Sequence, residues 1–148
     1  SVHANNALDV IGRFLHMGLD PYHVVSSMTA VLAQRLMRIT CSHCAQPFTP
    51  DAGLLARHGL QGRPGLKLQR GVGCGHCRGT GYRGRMAVAE LLPMDDALRD
   101  LIAGRAPSAR IKAHARSAGM VSLRERALGW VCDGLTTFEE LERVTLAD

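Results

Sequence analysis

Leu8, Ile11 and Leu15 recur at the three- and four-residue steps of one helical face, and Gly18 follows them. Residues 7–17 are therefore expected to form an amphipathic helix closed by a glycine. Asp20-Pro21 then offers an N-cap and a proline at the first helical position. Val24, Met28, Val31, Leu32, Leu36 and Ile39 continue at similar steps. They predict a helix of about 18 residues with Arg35 and Arg38 at its negative C-terminal end. Residues 51–58 read as a short helix capped by Asp51. Residues 66–70 alternate, and residues 84–91 have strand character, so the two are expected to close a small sheet. Further on, Asp95 is expected to cap a helix to about residue 103, and Ser108 one to about residue 117 that Gly119 ends. Ser122 with Glu125, and Thr137 with Glu140, have capping-box spacing. These closely spaced starts predict a C-terminal helical bundle, and the chain as a whole reads as α+β, mostly helical.

Composition narrows the class. The chain has 148 residues, enough for one ordinary domain or two small ones. It is 46% hydrophobic and 21% charged, which excludes disordered and collagen-like chains. The longest apolar runs are four residues, at 30–33 and 86–89, whereas a membrane-spanning helix needs about 20. No signal-peptide pattern is visible. The opening Ser-Val-His, without Met, suggests a segment of a longer protein. Aromatic residues make up only 4%, which argues against a base-stacking surface.

The net charge of +5 is unevenly placed. Between residues 21 and 90, nine Lys and Arg residues face only Asp51 and Glu90. Such a segment suits an anionic partner such as a lipid surface, or an anionic metal site that needs compensation.

The cysteines favour the metal site. Four of the five form two pairs, Cys41-Ser42-His43-Cys44 and Cys74-Gly75-His76-Cys77. A C-x-x-C turn aims two thiolates at one ion about 2.3 Å away, and two such turns complete a tetrahedron. Cys41, Cys44, Cys74 and Cys77 are therefore the candidate ligands of a structural Zn²⁺. Two disulfides are the competing reading, and the absence of secretory features weighs against them. Four cysteines fill the coordination shell, so no open position is left for catalysis. Gly75, Gly79 and Gly81 are expected to supply positive φ around the second pair. Arg38, Arg70, Arg78, Arg83 and Arg85 are near enough in sequence to offset the thiolate charge. His43 and His76 are expected outside the ligand set, and Cys132 is expected to pack in an apolar helix.

In order, several stretches resemble the C-terminal part of the ATPases that drive bacterial type II secretion and type IV pilus assembly. Ser1-Val2-His3-Ala4-Asn5-Asn6-Ala7 resembles that family's His box, commonly written S-T-L-H-T-N-D-A. Leu32-Ala33-Gln34-Arg35-Leu36 matches its L-A-Q-R-L segment. Cys74-Gly75-His76-Cys77-Arg78-Gly79-Thr80-Gly81-Tyr82-Arg83-Gly84-Arg85 resembles its second cysteine knuckle. Gly119-Met120, Leu123-Arg124 and Leu135-Thr136-Thr137-Phe138-Glu139-Glu140 resemble its closing helices. Ala4 stands where the family has Thr, and Asn6 where it often has Asp.

The resemblance implies a hexameric, RecA-like P-loop ATPase that uses ATP and Mg²⁺. It implies a cytoplasmic motor, peripheral at the inner membrane, that works on inner-membrane platform proteins. It also implies that His3 lies near the nucleotide γ-phosphate. Residues 1–40 would then be the C-terminal helices of the ATPase domain, 41–92 the tetra-cysteine zinc module, and 93–148 the helical bundle. The chain contains no G-x-x-x-x-G-K-[ST] loop, and its only lysines are Lys67 and Lys112. By itself it lacks the backbone cradle and the hydroxyl that hold phosphate and Mg²⁺, so the isolated chain is expected to be catalytically incompetent. The competing reading is a nucleic-acid-binding zinc ribbon, which the basic segment favours and the scarce aromatics oppose. A chaperone-type zinc module fits less well, because Ala45-Gln46-Pro47-Phe48 breaks the repeat begun by C-x-x-C-x-G-x-G.

Overall fold

The computed structural model describes residues 6–145, which fall into two compact units, one of residues 6–35 and 88–126, the other of residues 36–87 and 127–145. In chain order the elements are α1 (Ala7–His16), α2 (Pro21–Ser27), β1 (Ala30–Thr40), β2 (Ala45–Pro47), α3 (Ala52–Arg57) and β3 (Gln69–Gly71). A 3₁₀ turn (Gly75–Cys77) precedes β4 (Tyr82–Pro93), which is followed by α4 (Asp96–Ala103), α5 (Ser108–Ser117), α6 (Leu123–Cys132) and α7 (Phe138–Val144). His3 lies outside the described residues.

The first unit holds α1, α2, α4 and α5 around a core that includes Ile11, Val25, Val31, Leu92, Leu98 and Ile102. Local caps set the helix starts. Asn6 accepts the Asp9 N–H at 2.8 Å, Asp20 the Tyr22 N–H at 2.9 Å and Asp95 the Leu98 N–H at 2.7 Å. Ser108 does not cap α5 as expected. It is the first helical residue, behind Pro107, and no side chain caps this end. Glu90, buried on β4, accepts backbone N–H groups from Ala7 and Leu123, the first residues of α1 and α6. One carboxylate thus meets the positive ends of two helices.

The long helix expected through residue 39 ends at Ser27. The Ser26 and Ser27 hydroxyls donate to the His23 carbonyl, and Ser27 also reaches that of Val24, satisfying groups at the helix end. Met28 is already extended, and β1 follows. Apolar spacing is ambiguous here. Leu32 and Leu36, placed on the buried stripe by a helical reading, are 60% and 56% exposed, while Val31 and Met37 are buried. Pairing with β4 decides the outcome. The ladder is antiparallel, since Met94 N–H donates to Thr29 O beyond one end and Cys41 N–H to Gly81 O beyond the other. Arg35 and Arg38 therefore do not cap a helix.

The strand near residues 66–70 pairs with β2 rather than with 84–91. The register is Ala45↔Gly71, Gln46↔Arg70 and Pro47↔Gln69. Ala45 directly follows Cys44, and Gly71 lies just before Cys74, so bringing the cysteine pairs together sets this pairing. The C-terminal helices form as expected. Helices α4 and α5 belong to the first unit and α7 to the second.

Candidate metal centre

The second unit carries the cysteines. Cys41 leaves β1, Cys44 enters β2, and Cys74 and Cys77 bracket the 3₁₀ turn. Their sulfurs all lie within 4.8 Å of one another. Cys41 and Cys74 are 4.0 Å apart, Cys44 and Cys77 3.8 Å, and Cys74 and Cys77 3.8 Å. A tetrahedron with metal–sulfur bonds of about 2.3 Å has sulfur–sulfur edges of about 3.8 Å. The four sulfurs therefore fit one ion of that size. A disulfide needs about 2.05 Å, and all five cysteines are free thiols.

Backbone groups prepare the sulfurs. Cys74 and Gly81 N–H groups each point at Cys77 Sγ at 3.2 Å. Burial pushes the Cys77 thiol up, but these donors and the neighbouring thiols outweigh it and bring its pKa down to about 6. Burial, with the surrounding thiols, pushes Cys44 up to about 12 against a bond from the Gly73 backbone. The two knuckles thus push their inner thiols in opposite directions. An incoming cation would displace protons, so uptake should weaken in acid.

The glycines permit a close backbone crossing. A Cβ on Gly71 would lie 2.0 Å from Gly81 O, and one on Gly81 2.4 Å from Gly71 O. Gly81 also has φ +75°, as the sequence led us to expect, whereas Gly75 lies within the 3₁₀ turn, and the unexpected left-handed residue is Arg78 at φ +53°. His43 and His76, both exposed, stack with ring centroids 3.9 Å apart outside the sulfur cluster. Cys132 is buried in α6 as expected, and burial raises its thiol.

Charge compensation is not shared by all five arginines. Arg70 is paired with Glu139, and Arg38 with Glu140. Glu140 was expected to complete a capping box. Thr137 Oγ1 does accept the Glu140 N–H at 3.3 Å, but the Glu140 carboxylate takes the Arg38 N–H and Nε, each at 2.8 Å, and also Arg143. Arg38 further lies 4.3 Å over the Tyr82 ring, whose hydroxyl meets Thr137 Oγ1 at 2.6 Å. This network was not foreseen.

Two cysteine knuckles crossing at a glycine contact define a candidate four-thiolate metal-binding module. The chain that carries it belongs to the Type II/IV secretion system protein family, whose model matches residues 1–143. It is 41% identical over 143 residues to the type IV pilus assembly ATPase PilB of Thermus thermophilus, covering 95% of this chain and 16% of the relative. It is 39% identical over 145 residues to type II secretion system protein E of Pseudomonas aeruginosa, covering 98% and 29%. The type II secretion system ATPase E of Vibrio cholerae is 38% identical, with coverage again 98% and 29%. The chain thus spans less than a third of each relative. These relatives do not favour the nucleic-acid ribbon. No helix among the described residues is long and apolar enough to cross a membrane.

Proposed function

We propose that this chain is the C-terminal region of a hexameric ATPase that powers type II secretion or type IV pilus assembly. The observation that carries the reading is its identity, at 38–41% across nearly its whole length, to proteins named for those two machines. Residues 1–40 close the RecA-like motor domain, 41–92 form the metal module, and 93–148 supply the C-terminal helices. ATP and Mg²⁺ belong to the motor, and His3, within a segment resembling the His box, acts beside the nucleotide phosphate. The motor works at the cytoplasmic face of the inner membrane on platform proteins there, and the basic segment is available to anionic lipid.

The ion in the module is Zn²⁺. Four thiolates at tetrahedral spacing suit a thiophilic metal, and filling the shell with sulfur leaves it a structural rather than a catalytic role. Bound Zn²⁺ would cross-link the two knuckles, and Cys41, Cys44, Cys74 and Cys77 would hold it.

An assay of phosphate release from Mg-ATP tests the reading. The 148-residue chain alone should release none. The full-length protein should hydrolyse ATP, and His3→Ala should slow it. Hydrolysis by the chain alone, or an inactive full-length protein, would overturn the assignment.

A further inference from the structure

We propose that Tyr82 is a positioning residue of the four-sulfur site. Its hydroxyl ties the second knuckle to the N-cap of α7, so that metal uptake and docking of α7 favour one another. The inference rests on the reading of the site as a metal centre.

The connecting contacts are few and direct. Gly81 touches both knuckles through its backbone, donating its N–H to Cys77 Sγ at 3.2 Å and accepting the Cys41 N–H at 2.9 Å. Tyr82 is the next residue. Its hydroxyl lies 2.6 Å from Thr137 Oγ1, the same oxygen that caps α7 by accepting the Glu140 N–H. Arg38 closes the loop. Its guanidinium covers the Tyr82 ring and reaches Glu140 Oε2 at 2.8 Å, and the chain runs on from it to Cys41. Tyr82 is thereby held at its face by β1 and at its tip by α7.

Gly81 is tied to both knuckles by its own backbone bonds, so a shift of Tyr82 bears on it directly. It sits at φ +75° with the Gly71 carbonyl pressed against the place a Cβ would occupy. Displacing the tyrosine would turn Gly81 and carry its N–H away from Cys77. Losing outer partners of metal ligands commonly weakens metal binding about 10–100-fold. Tyr82 acts through Gly81, so the low end applies, about tenfold. Coupling between two equilibria is reciprocal, so removing the metal should loosen α7 by a similar factor.

Zn²⁺ alone is the probe. Tyr82→Phe keeps the ring under Arg38 and removes only the hydroxyl. In competition with a chromophoric chelator, both proteins should take up one ion per chain, the variant binding about tenfold more weakly. Hydrogen exchange over 138–144 should be faster in the variant, and faster in the unaltered chain once stripped of metal, while 96–103 in the other unit stays the same. Thr137→Ser retains a hydroxyl and should match the unaltered chain in both readouts. Equal Zn²⁺ affinity in Tyr82→Phe, or exchange over 138–144 that ignores the metal, overturns the proposal. If the unaltered chain takes up no Zn²⁺, the metal reading itself fails, and the coupling with it.

Discussion

Replacing Glu140 by glutamine tests the account of the second unit most sharply. The Glu140 side chain is fully buried, and its carboxylate receives Arg38 through backbone and guanidinium and Arg143 through its guanidinium. Burial would push this carboxyl up, but the bonds from Arg143 and Arg38 outweigh it and hold the pKa down, from 4.5 to about 2. At about 1.4 kcal/mol per tenfold change in proton affinity, that difference corresponds to roughly 3 kcal/mol of stability at neutral pH. Breaking a buried ion pair by removing one partner costs about 3–5 kcal/mol, and the half-exposed arginines recover some hydration. Glu140→Gln should therefore cost roughly 2–3 kcal/mol at pH 7. Urea unfolding followed by the fluorescence of Trp130, the sole tryptophan, measures it. The folded pKa is depressed, so this stabilisation is complete above about pH 4.5 and is lost as pH falls towards about 2. The gap between the two proteins should shrink by more than half at about pH 3. Acid also protonates the thiolates, but equally in both proteins, so the difference isolates Glu140. A gap as wide at pH 3 as at pH 7, or no gap at pH 7, would refute the reasoning.

Gly81→Ala places a Cβ 2.4 Å from the Gly71 carbonyl at φ +75°. The left-handed backbone alone costs about 1–2 kcal/mol, so the melting temperature should fall and metal should be released more readily, and an unchanged melting curve would contradict the crossing. Glu90→Ala strips the acceptor from the Ala7 and Leu123 N–H groups. It should cost roughly 2–4 kcal/mol in thermal unfolding followed by circular dichroism, since each buried unsatisfied group costs about 1–3 kcal/mol. A loss below about 1 kcal/mol would show that water replaces the carboxylate.

What the sequence revealed, it revealed through short-range chemistry. Asp20, Asp51, Asp95 and Thr137 each bond backbone N–H groups two or three residues on, so their helices could be read from neighbouring letters. The sulfur cluster was legible for a similar reason, because each C-x-x-C turn presents its own pair. Long-range partners were not. The Glu140 carboxylate was read as a local cap, yet it is taken by Arg38, 102 positions away. Glu90, whose partners Ala7 and Leu123 lie 83 and 33 positions away, carried no local sign of its role. Residues 30–40 were misread because their apolar steps suit two periods, and a partner strand, invisible to periodicity, decides between them. The pairing of β2 with β3 follows from closing the sulfur cluster.

The metal centre and its coupling to α7 depend on four sulfurs meeting at one ion. X-ray absorption at the zinc edge on the purified chain, with elemental analysis, measures this directly. The account predicts one zinc per chain bound by four sulfurs at about 2.3 Å. No bound metal, or a shell in which imidazole nitrogen from His43 or His76 replaces sulfur, would contradict it.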